Sequence, residues 1–276
     1  MSFNITKIAP PHRLQYQWLL MLCRFGTILS FCILAASAGL RLTTIIDAEG
    51  IALSQIPSSM ETLIRIIHRI SASVVALISL TVLILSWQTR RSSSLLIKPA
   101  VWLAASVVVL SIIGPLTSGY KSGVITVMNV VTGTIMLMAY WWISETILLT
   151  KNNHLHTESK TKYRHTWLIW VTLHIATGAA ASAGYMYGME WLYYLHLLTF
   201  LKLLWITIQK KKTSKQSPST SIEAIVSNVL VVFQFVSGSV MIWHDNRGLF
   251  LSFMHAIFSY LLVLMTISVV VRKKLL

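Results

Sequence analysis

Eight stretches of 20 or more mostly apolar residues set the limits on what this chain can fold into. They run over about 18–40, 63–87, 99–118, 123–147, 165–184, 189–208, 223–243 and 248–271. A helix of about 20 apolar residues matches the thickness of a bilayer's hydrocarbon core. Inside lipid, every backbone polar group must find its partner within the segment, which leaves the helix as the form such stretches take. The chain is 55% hydrophobic and 11% charged, whereas soluble domains carry about 25% charged residues. The expectation is an all-α membrane protein of eight transmembrane helices. The stretch from Met1 to Gln17, with Pro10-Pro11, does not read as a cleavable signal.

The net charge of +15 is a topology signal. Seventeen of the 23 Lys and Arg residues fall on one side of the eight spans: Arg24 near the start of the first span, and the rest in the N-terminal arm, the segments 88–98, 150–164 and 209–222, and the C-terminal tail. Arg41, Arg65, Arg69, Lys121 and Arg247 fall on the other side, offset by Asp47, Glu49, Glu61, Glu190 and Asp245. Basic loops stay in the cytoplasm, so both termini are expected there. The location is then a bacterial cytoplasmic membrane or a mitochondrial inner membrane. The basic face meets anionic membrane lipid, and nucleic acid is not needed to explain it. Lys202 remains, inside a span and assigned to neither side, where it can snorkel toward the surface. Cys23 and Cys32 lie nine residues apart on one helix, roughly 13 Å along its axis, too far to bridge.

The odd-numbered spans each carry a small-residue patch: Ala35 to Gly39, Gly114-Pro115, Thr177 to Ala181 and Ser237-Gly238-Ser239. Small residues let membrane helices approach closely. Met128-Asn129 with Gly133 matches Met254-His255 with Ser259. The expected organisation is therefore two repeated four-helix bundles, 1–150 and 151–276, in parallel orientation.

Of the nine histidines, His12, His154, His156 and His165 fall in or beside cytoplasmic segments, and His244 in a short loop on the far side. His68, His196 and His255 sit five to seven residues into even-numbered spans, roughly 8–10 Å below their outer ends. Ionisable groups at such depth are costly and mark functional sites, although a single one can also be a structural hydrogen-bonding residue. Haem suits three imidazoles at one level, because neutral imidazole is a common axial ligand. Zinc or copper would want further ligands. His196 and His255 belong to the same half and form the natural bis-histidine pair. Arg69, Lys121 and Arg247 are placed to meet haem propionates or to remain interfacial charges. In the first half, Asn129 holds the place of His255; Met128 beside it is a packing residue or a sulfur ligand. His174 and Gln234 each precede a glycine by four residues and are read as hydrogen-bonding between helices.

Taken together, these residues resemble the haem A synthase family, the cytochrome oxidase assembly proteins that convert haem O to haem A. The resemblance covers nearly the whole chain. Gly39-Leu40-Arg41-Leu42-Thr43 is similar to the family's motif at the end of its first helix, and His68-Arg69 to its His-Arg on the second. Gln234 with Gly238, together with His196 and His255, is similar to its second-half pattern. The resemblance implies a haem b held by His196 and His255, and a catalytic first half with His68 ligating substrate haem O. It implies oxidation of the C8 methyl to a formyl group by successive oxygen insertions, with a haem O supplier and an electron donor protein as partners, and a homo-oligomer or oxidase assembly complex as the setting. The chain departs from the family at two places. Arg65 stands where the family has Glu, with Glu61 one turn back on roughly the same face, and Asn129 stands where it has His. A second reading is a family member without activity that serves as a haem-binding assembly factor or accessory subunit. A third is a transmembrane electron-transfer cytochrome b, which needs another histidine pair near the cytoplasmic face.

Overall fold

The computed structural model describes residues 10–42, 44–46, 52–54, 57–90, 94–116, 123–151, 163–185, 191–213, 221–243 and 249–275. Eight α-helices account for nearly all of them: α1 Pro10–Leu42, α2 Ser58–Gln88, α3 Ile97–Leu116, α4 Gly123–Lys151, α5 Tyr163–Tyr185, α6 Trp191–Thr213, α7 Ser221–Trp243 and α8 Leu249–Leu275. Each contains most of one expected span. By length and composition, α1 to α4 and α8 can cross a membrane; α5 and α7 hold shorter apolar stretches, Ile169–Ala181 and Val229–Val240.

Two boundaries differ from the hydropathy reading for a physical reason. The helix α1 opens at Pro10, where the fixed φ of proline suits a first helical position. The helix α2 opens at Ser58, after Pro57 with φ −53° and ψ 138°. Its first two turns are polar, and an ion pair four residues apart, Glu61 with Arg65, ties them. His68 therefore lies ten residues, about 15 Å, into its helix, while His196 and His255 lie five and six residues into theirs. The three are not at one depth from their helix starts.

A further departure from the all-helical expectation is a small antiparallel pair, β1 Thr44–Ile46 with β2 Ala52–Ser54, in the register Thr44 to Ser54 and Ile46 to Ala52. Thr44-Ile45-Ile46 is β-branched throughout, which favours extended backbone.

Helix packing follows a closed order in each half. The helix α1 packs on α2 and α4, and α3 packs on α2 and α4; likewise α5 packs on α6 and α8, and α7 on α6 and α8. In this order α2 lies diagonally across from α4, and α6 from α8. The two sets meet where α1 and α4 pack on α5 and α8. Leu34, Leu137 and Tyr260 fill that seam, and the Trp141 indole donates to Ser268 Oγ at 2.7 Å.

The first set has a continuous core from Leu19 and Cys23 through Val75, Leu103 and Ile143. Tyr140 lies fully buried within it, against Gly26. Its hydroxyl is 2.7 Å from Ser79 Oγ and donates to the Val75 carbonyl at 3.0 Å. Buried hydroxyls elsewhere bond back to the carbonyl four residues earlier, as Thr27, Thr134 and Thr266 do. That keeps polar atoms satisfied inside one helix. The outward surface is apolar, with Leu77, Trp102, Ile112 and Val124 all more than 60% exposed. A water-facing surface does not carry so continuous an apolar cover; lipid is its natural solvent. This is a helical multi-pass membrane protein.

Candidate histidine site

The diagonal relation of α6 and α8 brings His196 and His255 face to face. Their Nε2 atoms are 3.5 Å apart, with ring centroids at 5.8 Å and ring planes 77° from each other. Two imidazoles on opposite sides of one metal ion, each bonded at about 2.0–2.1 Å, would hold their nitrogens about 4 Å apart. The observed spacing is within about half an ångström of that.

Each ring is held by its other nitrogen. Ser237 Oγ lies 2.8 Å from His255 Nδ1, and Thr177 Oγ1 lies 3.2 Å from His196 Nδ1. Ser237 donates its proton to the Phe233 carbonyl at 2.7 Å, and Thr177 donates to the His174 carbonyl at 3.0 Å. A hydroxyl has one proton to give, so each accepts from the imidazole Nδ1–H. With the hydroxyl protons on those carbonyls, both Nε2 atoms carry lone pairs, and they point at each other. Two lone pairs 3.5 Å apart repel unless an electron-pair acceptor lies between them or one ring exchanges its proton.

Two glycines make room for the rings. A Cβ at Gly178 would lie 2.9 Å from His196 Cε1, and one at Gly238 would lie 3.5 Å from His255 Cε1. Beneath them, the Gln234 side-chain amide donates to the His255 carbonyl at 2.8 Å, and Ser259 donates to the same carbonyl at 3.0 Å. His174 stacks on His196 with centroids 4.1 Å apart and planes 11° apart, its Nδ1 3.3 Å from Thr199 Oγ1. His174 Nε2 and Gln234 Oε1 are buried without a partner. The expected interhelical roles of His174 and Gln234 are thus present, linking α5 to α6 and α7 to α8.

His68 stands apart from this group, half-buried on α2 with Nδ1 buried and unpartnered. Its ring lies against the backbone carbonyl of Ile33 on α1, as the His196 ring lies against that of His174 on α5. Across from it on α4, Asn129 is half-buried, and Met128 is 46% exposed, turned to the surface. Glu61 is held by Arg65, whose Nε donates to Glu61 Oε1 at 2.7 Å. Arg69 is exposed. Arg247, Lys121, His244 and His165 fall where no side chain is described. Lys202 rests over aromatic faces, its ammonium 4.2 Å from the Trp205 ring centroid and 5.9 Å from that of Trp170. No group of three or more His, Cys, Asp or Glu among the described residues converges as a metal cluster.

Sequence reasoning passed over Thr177 and Ser237, reading their patches only as places of close helix approach. The missed signal is a hydroxyl residue directly before the glycine, Thr177-Gly178 and Ser237-Gly238, on the two helices that flank the histidine pair. These features define a class: a multi-pass helical membrane protein with an opposed, hydroxyl-anchored histidine pair inside its second half. No protein-family model matches the chain, and no curated protein matches it.

Proposed function

We propose that this is a haem-carrying membrane protein of the haem A synthase type, with haem b held between His196 and His255. The observation that carries the reading is the opposed pair of Nε2 lone pairs, each ring fixed through Nδ1 by a hydroxyl. Fixing the far nitrogen of a ligand imidazole is how proteins orient metal-binding histidines. Haem iron bound there supplies one-electron chemistry, and the apolar helices around the pair exclude water from it.

The first half is the proposed substrate side, where the C8 methyl of haem O is oxidised to a formyl group. His68 would hold that haem as its one imidazole ligand, and the iron would supply the oxygen chemistry. His68 binds and orients there, and the partners are a haem O supplier and an electron donor protein. The setting is a cytoplasmic or mitochondrial inner membrane with both termini inside, and the two halves are parallel repeats. The matching helix contacts and the matching places of His68 at Ile33 and His196 at His174 support the repeat. A homo-oligomer or an oxidase assembly complex is part of the same reading.

A second reading, a haem-binding assembly factor without activity, is favoured by one observation. Glu61 is engaged by Arg65, and Asn129 on α4 stands in the place that His255 holds on α8. The supporting shell is gone as well. Aligning Gly114 with Gly238 sets Leu110 and Ile113 opposite Gln234 and Ser237, and aligning Ile33 with His174 sets Ala36 opposite Thr177.

Haem extraction and chromatography separate the readings. The detergent-purified chain, coexpressed with a haem O source, is compared with a His196→Ala, His255→Ala double variant. Haem b with haem A, and haem b lost in the variant, is the outcome expected of a synthase. Haem b alone, lost in the variant, leaves the assembly factor. No haem in either sample overturns the ligand pair.

A further inference from the structure

Arg41 is 8% exposed in the last turn of α1. Its Nη1 donates to Ser37 Oγ at 2.9 Å, and its Nε is buried without a partner. Ser37 is neutral, so this contact satisfies a donor without offsetting the charge, and a buried guanidinium is costly until an anion meets it. On α2, which packs along α1, Glu61, Arg65 and Arg69 follow at steps of four and so share one face. His68 lies between Arg65 and Arg69 in the same stretch of α2. Glu61 is the one carboxylate at this end among the described side chains, and Arg65 holds it. Among the described residues, Arg41 Nε on α1 and His68 Nδ1 on α2 are both buried without a hydrogen-bond partner. The flanking surface of α2 is apolar: Leu63, Ile66, Ile67 and Ile70 are 49–60% exposed.

We propose that the α1–α2 end around Arg41, Arg69 and His68 binds the oxyanion of an amphiphile, with Arg41 as its buried contact. The planar fork of arginine suits two oxygens of a phosphate or carboxylate, and the exposed isoleucines take the apolar body. Two sources carry this chemistry: a phospholipid phosphate, or the carboxylates of a tetrapyrrole. The tetrapyrrole source rests on the substrate-haem reading of the first half, whereas the phospholipid source needs neither iron nor that reading.

The test uses the full chain in neutral detergent, stripped of lipid, and four probes. Short-chain phosphatidylglycerol is paired with the matching diacylglycerol; metal-free protoporphyrin IX, which has no iron to ligate, is paired with its dimethyl ester. Tryptophan quenching reads the porphyrin isotherms and native mass spectrometry the lipid ones. Arg41→Gln is expected to weaken the anionic member of at least one pair by about 10-fold or more and to leave the neutral member unchanged. Arg41→Lys falls between, keeping charge without the fork. Arg24→Gln, an exposed arginine elsewhere on α1, changes nothing. Loss for phosphatidylglycerol alone assigns a lipid phosphate, and loss for protoporphyrin alone assigns a carboxylate. Should Arg41→Gln fail to fold by circular dichroism, the exposed variant Arg69→Gln carries the same expectation. Unchanged binding of both anions in the folded variants, or an equal loss in Arg24→Gln, overturns the proposal.

Discussion

Replacing Gly178 and Gly238 by alanine, one at a time, separates a fitted histidine site from a loose one. A Cβ at Gly178 would stand 2.9 Å from His196 Cε1 and 3.3 Å from Nδ1. Carbon atoms rest at about 3.5–4.0 Å, so the ring must move by about 0.6 Å or more. Binding geometry tolerates about 0.5 Å, and Thr177 holds Nδ1 against such a shift. The alanine at Gly238 would stand 3.5 Å from His255 Cε1, an ordinary contact. Alanine gains about 1 kcal/mol of helix propensity over glycine, whereas overpacking costs about 1–3 kcal/mol. Gly238→Ala is therefore expected to be neutral or slightly stabilising, and Gly178→Ala to lose up to about 2 kcal/mol. Haem affinity should fall about 10–100-fold in Gly178→Ala, the range for disturbing the support of a ligand histidine, and hold in Gly238→Ala. Thermal unfolding by circular dichroism and haem titration by absorbance measure the two effects. Equal behaviour of the two variants in both assays would refute the claim that Gly178 sets the place of His196.

Removing the hydroxyl anchors, by Ser237→Ala or Thr177→Val, is expected to weaken haem binding about 10–100-fold while helix content stays the same. The 2.8 Å contact of Ser237 makes its loss the larger of the two, and unchanged haem affinity in both variants would remove the anchoring role. Lys202→Met is expected to be neutral or to stabilise by about 1–2 kcal/mol. A lysine near the centre of a membrane helix costs about 2.5–3.5 kcal/mol, and the cation–π contact with Trp205 returns about 2 kcal/mol at most. A drop in melting temperature, with loss of haem, would instead place Lys202 in the function.

The eight helices were legible as long apolar stretches between polar segments, five of them, α1 to α4 and α8, long and apolar enough to cross a membrane, and the packing order of α1 to α4 and of α5 to α8 leaves them little freedom. Helix ends were less legible. Hydropathy stops counting at Leu63, but the Glu61–Arg65 pair carries α2 back to Ser58, and with that the depth of His68 changes. The small hairpin of Thr44–Ile46 and Ala52–Ser54 was hidden in a mixed loop too short to show alternation. At the site, His196 and His255 stood out because an imidazole in an apolar helix is expensive. Thr177 and Ser237 did not, because a hydroxyl can satisfy itself on its own helix and then resembles any small packing residue. His174 was placed as a helix-to-helix hydrogen bonder, and it is one; its stacking on His196 depends on the crossing of α5 and α6, which no single-helix pattern reveals.

The unsatisfied atoms of the second half share one character. With Nδ1 of His196 and His255 donating to hydroxyls, their Nε2 atoms are acceptors. His174 spends its Nδ1 on Thr199 in the same way, which leaves its buried Nε2 an acceptor too. The buried Gln234 Oε1 adds a fourth. A hydrophobic interior tolerates a polar atom without a partner only at a cost of about 1–3 kcal/mol each, and here several of the same sign collect within a few helical turns. Water would meet some of them, yet a water molecule between the two Nε2 atoms needs more than their 3.5 Å separation. An electron-pair acceptor at that point resolves the repulsion directly, and whatever binds there stabilises the fold in proportion to its occupancy. Among the described residues of the first half, no such group of acceptors surrounds His68; the unpaired buried donor there is Arg41 Nε. The two halves therefore share an order of helix packing and differ, among the described residues, in what they leave unpaired: acceptors around His196 and His255 in one, the Arg41 guanidinium in the other.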